Sequence, residues 1–162
     1  MTLLIRDATP ADAPAIHAAI LAMGALLGSG HKIESTPDIL AREGLAPGRA
    51  FEGLVAEVDG QFAGMCLYLP VFSTWLGTPG VYIQDLFVDE RYRSLRIGEA
   101  LVRRVARIGR ERGANHLRLA VDFDNDKAQR FYERIGVTHH AEDRIHSAYG
   151  AAFVRLSEED PQ

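Results

Sequence analysis

The sequence is poor in the residues that build redox or metal centres: it has one cysteine, Cys66, and six histidines in 162 residues. A single thiol excludes an internal disulfide and any multi-cysteine metal set. Cys66 lies in the apolar run FAGMCLYL, so it reads as an inert core thiol, with a reactive one as the alternative. His139, His140 and His146 lack a regular ligand spacing and fall in an expected loop, so no metal is expected. Also missing is any apolar run of the roughly 18 to 20 residues that a membrane-spanning helix needs. The opening MTLLIRDATPADAP lacks the basic-then-apolar layout of a secretory signal. No membrane partner and a cytoplasmic location are the expectations. Nor is there an excess of positive charge: 18 basic against 22 acidic residues leave a net charge of -4. That balance argues against a nucleic-acid partner and leaves room only for a local basic patch.

What is present suits a globular enzyme-sized core. At 47% hydrophobic and 25% charged, the chain can bury one core, and its length predicts a single domain over residues 1–162. LLIRDA alternates as a short strand. Thr9-Pro10 then reads as an N-cap with proline at the first helical position, opening a helix over about residues 10–23. LGSGHKIESTPDILAREGL is a glycine-rich, substrate-side loop followed by a second cap at Ser35-Thr36-Pro37 and a short helix ending near Gly44. GLVAEVDGQFAGMCLYLP is a hairpin turning on Asp59-Gly60, a dipeptide suited to positive φ. After the loop VFSTWLGTPG, the run VYIQDLFV predicts a central strand buried on both faces, its start marked by Pro79-Gly80.

From Ile97 the apolar positions Ile97, Leu101, Val105 and Ile108 recur at helical spacing, while Arg103, Arg104, Arg107 and Arg110 fall away from that stripe. This helix stops at Gly113. HLRLAVD reads as a strand, DNDKAQRFYERIG as a helix closed by Gly136, AAFVRLS as a last strand and SEEDPQ as a frayed tail. The expected order is β-α-α-β-β-β-α-β-α-β, a mixed α/β fold.

The functional content lies in the strand, arginine-bearing turn, helix, strand and helix across residues 81–136. A turn entering a helix offers N–H groups with no intrahelical acceptor, and the helix dipole favours a phosphate there. Neighbouring arginines add charge-assisted bonds. Taken alone, such a turn is more often a solvated basic face than an anion site.

The order Arg93-Ser94-Leu95-Arg96-Ile97-Gly98, together with the stretch from Asn125 through Ala128, Phe131 and Tyr132 to Gly136, resembles the GCN5-related N-acetyltransferase (GNAT) superfamily. Its two signatures are Arg/Gln-x-x-Gly-x-Gly/Ala and Asn-x-x-Ala-x-x-Phe-Tyr-x-x-x-Gly. IRDATPADAPAIHAAI is similar to the family's first strand and helix. STWLGTPGVYIQDLFV with YRSLRIGEALV is most similar to the spermidine/spermine (diamine) acetyltransferase branch. The resemblance implies a mixed, strongly twisted central sheet flanked by helices, acetyl-CoA as co-substrate, a small-molecule amine acceptor and a homodimer. It further implies that the main chain of Leu86, Phe87 and Val88 pairs with the pantetheine arm. The amides of Ser94, Leu95, Arg96, Ile97, Gly98 and Glu99 would cradle the pyrophosphate beside Arg93. Asn125 and Tyr132 would stand near the thiol, with Tyr132 as the acid that protonates the leaving thiolate.

Two departures from the family pattern stand out. Arg96 occupies the first glycine position and Ser94 the branch's additional one, although glycine there lets backbone approach phosphate without a Cβ. Arg96 either grips a phosphate through its guanidinium or weakens cofactor binding. Gln84 stands where the branch has a glutamate that binds the amine and takes its proton, which a neutral amide cannot do in the same way. Asp85 lies beside it, on the opposite face by strand alternation. The candidates for the proton acceptor are therefore a water held by Gln84, Asp85, or Glu34 from the loop. Trp75 either covers a hydrophobic edge or lines the acceptor pocket. Alternatives to a small-molecule enzyme are a non-catalytic acyl-CoA-binding sensor and a protein or peptide N-acetyltransferase.

Overall fold

A computed structural model describes residues 1–48 and 50–158. It resolves into two compact units, Met1–Asn125 and a second beginning at Asp126. The first unit is a five-stranded mixed sheet in the order β1-β2-β3-β4-β5, comprising Leu3–Asp7, Glu52–Val58, Gln61–Ser73, Thr78–Val88 and Leu117–Leu119. The first four strands are antiparallel neighbours and β5 joins β4 in parallel. The tight β2–β3 turn is the expected one: Asp59 and Gly60 both take positive φ, 49° and 76°. The β3–β4 hairpin is longer than expected. Its ladder runs out to Ser73↔Thr78, so the loop shrinks to residues 74–77 and Pro79-Gly80 lies inside the strand.

One face of the sheet is covered by α1, Ala13–Leu26, and by α2, Pro37–Ile39, which continues as a wide π-type turn through Leu45. Thr9 and Asp12 cap the approach to α1 reciprocally, as the Thr-Pro signal predicts. Thr36 Oγ1 accepts the Ile39 N–H at 3.2 Å at the start of α2. Ala13, Ile16, Ala19, Leu40 and Leu45 pack there against Val55, Met65 and Leu67, and Phe87 joins from β4. By strand alternation the neighbouring residues Leu54, Cys66 and Tyr68 point to the other face, and they are equally buried. That face carries α3, Ile97–Glu111, whose predicted stripe Ile97, Leu101, Val105 and Ile108 is buried. Its Gly109 lies so close to Val81 that a Cβ would stand 2.8 Å from Val81 Cγ1.

Three expectations are corrected. The strand expected over HLRLAVD pairs only at Leu117–Leu119. The strand VYIQDLFV is not buried on both faces: Gln84 is exposed and residues 85–88 are half-buried. The segment AAFVRLS is a helix, α5, Ala151–Glu158, not a strand. Here Ala151, Ala152, Arg155, Leu156 and Glu158 are helix formers, and only Phe153 and Val154 favour a strand. Gly150, at φ 53°, turns the chain into it.

The second unit also holds α4, Asp126–Arg134, which ends at Gly136 with φ 89°, as expected. Glu159–Gln162, most of the expected tail, lie outside the described residues. No helix among the described residues is long and apolar enough to cross a membrane.

Candidate active site at the β4 bulge and the α3 terminus

Gln84 is an extra residue in β4. Leu67 stands opposite Asp85 while the next residue, Tyr68, stands opposite Ile83, so Gln84 has no counterpart on β3. The bulge has a geometric consequence. The Val81 N–H donates to His116 O at 3.0 Å, away from β3, whereas the Asp89 N–H donates to Ala63 O at 2.9 Å, on the β3 side. In an unbroken strand two residues separated by an even number would turn their peptide groups the same way. The bulge inverts the alternation, so Leu86 and Val88 turn their N–H and C=O groups away from β3.

On that far side β5 pairs with β4 only through Ile83, and no strand among the described residues continues the ladder. Residues 86 to 88 thus form a length of sheet edge beyond the end of the β4–β5 ladder. Of the three residues expected to offer main chain to an extended ligand, Leu86 and Val88 turn their peptide groups to the open edge. Phe87 turns its peptide groups toward Met65 and its side chain toward the α1 core.

Past Val88 the chain turns at Asp89, whose carboxylate accepts the Arg91 N–H at 3.0 Å and the Arg91 guanidinium at 2.7 Å. Those bonds hold its pKa down at about 2. A 3₁₀ turn, Glu90–Leu95, leads to Arg96, which adopts φ 56°, ψ 24° before α3 begins. The left-handed conformation gives a local reason for glycine in the motif: an L-residue there costs about 1–2 kcal/mol. The first intrahelical bond is Ala100 N–H to Arg96 O at 3.1 Å, so the amides of Ile97, Gly98 and Glu99 lie ahead of it at the positive end of the helix. Arg93 folds back, its Nε donating to Val88 O at 3.4 Å, and this joins the strand edge to the helix terminus. Ser94 and Leu95 belong to the 3₁₀ turn itself.

The structure therefore gathers Gln84, Asp85, Leu86, Phe87, Val88, Arg93, Ser94, Leu95, Arg96, Ile97, Gly98 and Glu99 on one strand–turn–helix element. Burial pushes the Asp85 carboxyl above the ordinary aspartate range, which makes it a stronger base than an exposed carboxylate. Burial first, and the Asp85 charge second, raise the Cys66 thiol to about 12, so that fully buried sulfur is inert. Strict alternation between Gln84 and Asp85 does not hold across the bulge.

Asn125 ends the first unit, its N–H donating to Asp122 O at 3.0 Å. Tyr132, on α4 in the second unit, is half-buried, with its ring edge-on to Phe131 at 5.0 Å. Glu34 is exposed in a segment held by a His17 Nε2 to Ser35 O hydrogen bond of 2.7 Å. Trp75 is 99% exposed in the β3–β4 loop. Gln84 lies six residue steps along the strand from Thr78, roughly 20 Å, so Trp75 and Gln84 do not share one pocket within this chain.

Two features escape sequence reasoning. Glu99 bridges Arg96 and Arg103, for which the spacing i, i+3 and i+7 on one helix face is the only signal. A cavity of about 320 Å³ opens where β1 ends and β2 begins, lined in part by Asp7, Phe51, Glu52 and Tyr68. Its Glu52 carboxylate is held by Arg112 at 2.5 and 2.9 Å and by the Tyr68 hydroxyl at 3.3 Å. Nothing in the local sequence joins those residues.

The sequence model of the acetyltransferase (GNAT) family matches residues 27–137. The chain belongs to that family. Its strand–turn–helix element, described above, lies wholly within the matched span, and so does the Asn125-to-Gly136 signature. This acetyltransferase is 29% identical over 143 residues to the thialysine N-epsilon-acetyltransferase of Sus scrofa, covering 83% of this chain and 84% of that one. Among solved structures it resembles an integron cassette protein from the mobile metagenome of V. cholerae, with a TM-score of 0.83 at 19% identity over 98% and 99% of the two chains. An aminoglycoside acetyltransferase from an uncultured soil metagenomic sample, in complex with sisomicin, has a TM-score of 0.73 at 22% identity over 91% and 95%.

Proposed function

We propose that this acetyltransferase moves the acetyl group of acetyl-CoA onto a primary amine of a small molecule. The observation that carries the proposal is the inverted alternation at Gln84. It presents Leu86 and Val88 as an open peptide edge leading directly to the α3 terminus. An extended pantetheine arm adds to such an edge as a further strand would, and its pyrophosphate meets the amides of Ile97, Gly98 and Glu99 with Arg93 beside them. In the reaction a neutral amine attacks the thioester carbonyl, an N–H at the bulge stabilises the oxyanion, and the thiolate leaves with a proton. Tyr132 is the proposed acid, with Asn125 near the thiol. Asp85, with its raised proton affinity, is the favoured proton acceptor over Glu34 or a water held by Gln84.

The relatives whose names specify thialysine and aminoglycosides support a small amine as the acceptor. Polyamines fit less well, because Gln84 supplies no negative charge at the bulge. We also propose that the chain acts as one catalytic domain, is cytoplasmic and works as a homodimer. The last is supported by the exposed Phe153 and Leu156 of α5.

The test is release of free CoA from acetyl-CoA with thialysine, diamines, amino acids and aminoglycosides as acceptors. Turnover with at least one is expected; none above background would sink the reading. Tyr132→Phe should lower kcat by about 100-fold, and an unchanged kcat removes Tyr132 as the acid. A second reading, a non-catalytic acyl-CoA sensor, draws on the neutral Gln84 and on Arg96 in place of glycine. Calorimetry that finds tight acetyl-CoA binding with no turnover on any amine favours it.

A further inference from the structure

The cavity of about 320 Å³ at the end of β1 and the start of β2 lies apart from the β4–α3 element, since no residue from Gln84 to Glu99 lines it. Its size falls at the lower end of the range for small-molecule sites, roughly 300–1,000 Å³. Strand register accounts for its polar wall. Asp7 pairs with Leu54 and Glu52 with Tyr68, and residues that are paired, or two apart on one strand, share a face of the sheet. Asp7, Glu52 and Tyr68 therefore project together onto the α3 face. Leu45, Phe51 and Pro70 supply apolar surface beside them.

The charges on that wall do not balance. Glu52 is answered by Arg112 and by the Tyr68 hydroxyl, which donates to it at 3.3 Å. Arg112 holds the Glu52 carboxyl below its ordinary range. Burial first, and the Glu52 charge second, push the Tyr68 phenol up and keep it a donor. Arg112 itself stands outside the cavity wall and lines a separate hollow of about 40 Å³ with Gly109 and Ala114. Arg6 donates to the main-chain oxygen of Asp7, and no described residue hydrogen-bonds the Asp7 carboxylate. The described wall thus holds two carboxylates and no basic side chain, and even with Arg112 counted the group is left with one uncompensated negative charge.

An excess of acceptors beside an aromatic and aliphatic surface suits a ligand that joins one protonated nitrogen to an apolar body. An anion would meet two carboxylates there, and a neutral ligand would desolvate Asp7 without giving it a partner. We propose that this cavity is a second ligand site, separate from the β4–α3 element, for a small organic cation, with Asp7 as its counterion and with Glu52 and Tyr68 fixed beside it by Arg112.

Benzamidine is the probe, because it carries a charged amidinium on an aromatic body; benzyl alcohol and benzoate are neutral and anionic controls of similar size. Backbone amide NMR of the full chain is expected to show saturable shifts at Ala8, Phe51, Gly53 and Tyr68 with a Kd of about 1 mM, and binding about tenfold weaker for either control. Asp7→Asn keeps the shape of an exposed side chain and removes its charge. It should weaken benzamidine about tenfold with an unchanged melting curve. No saturable shift at those four amides, equal binding of benzyl alcohol, or undiminished binding by Asp7→Asn each overturns the proposal. Arg49, which stands between Gly48 and Ala50 in the sequence, supplies a further check. Arg49→Gln should bind benzamidine no less tightly than the wild type, whereas binding by that variant alone overturns the proposal, because the chain's own guanidinium is then the occupant. Every arm is read without acetyl-CoA, so a failure here is distinct from a failure of the acetyl-transfer reading.

Discussion

Arg6 and Glu99 each stand at the centre of an ion triad, and the two triads are inverses in stoichiometry. Around Arg6 one cation is enclosed by two carboxylates. Its Nε and Nη2 donate to Glu57 at 3.0 and 2.7 Å, its Nη1 and Nη2 to Asp12 at 2.9 and 2.8 Å, and Nη1 also to Asp7 O at 3.2 Å. Every guanidinium nitrogen is occupied, and Asp12 is further bonded by the Thr9 N–H at 2.8 Å, which ties β1, β2 and the start of α1 together. Around Glu99 one carboxylate is shared by two largely exposed cations that retain free donors. The same residue types therefore close a structural joint in one place and leave two cations largely exposed in the other. What differs is whether donors or acceptors are in excess.

Breaking the closed triad should have the largest effect on stability. Arg6→Leu leaves Asp12 and Glu57 facing each other without a cation, at a cost of about 2 kcal/mol after allowing for Arg6 being 35% exposed. A melting temperature lowered by about 4–8 °C checks it, and the same loss on removing Glu99 would erase the distinction between the triads.

Acid sharpens the comparison next. The hydrogen bonds from Arg6 hold Asp12 at about 2, below its unfolded value, so its contribution is fully present above about pH 4. It is lost as the pH falls through 2. Chemical denaturation should show about 1–2 kcal/mol lost over that window beyond the loss in Asp12→Asn, in which this part of the pH dependence is absent. An identical acid slope in the two proteins would remove Asp12 as the cause.

The open triad should respond in the opposite direction and least. Arg96→Gly removes a left-handed L-residue and an exposed ion pair, so the protein should gain about 1 kcal/mol, read as a raised denaturation midpoint. A destabilised Arg96→Gly protein would assign Arg96 to the structural class with Arg6.

Much of this fold was legible in the sequence because local physics and tertiary context agree. Asp59-Gly60 turns where positive φ is needed, Thr9-Pro10 caps the entry to α1, and the stripe Ile97, Leu101, Val105 and Ile108 becomes the buried side of α3. The arginine turn, too, falls at the helix terminus where its charge suits an anion. Other features were not legible. In AAFVRLS the short apolar run Ala151 to Val154 suits a strand or a helix, yet the segment is helical, its alanines, arginine and leucine outweighing one β-branched and one aromatic residue. Trp75 is close to Gln84 along the chain, but the extended β3–β4 ladder carries it to the far end of the hairpin.

The sequence by itself determined the Asp59-Gly60 turn, the capped entry to α1, the apolar stripe of α3 and the arginine-flanked helix terminus after β4, because each of these depends on neighbours within a few residues. Only the tertiary structure decided that Gln84 has no partner. A bulge is a mismatch in register between two strands and has no signature in either one alone. From that single unpaired residue follow the direction of the Leu86 and Val88 peptide groups and the open edge that leads to the α3 terminus. Arg96 shows the same division: its identity was plain from the sequence, but its left-handed backbone and its sharing of Glu99 with Arg103 exist only once the turn is folded against α3.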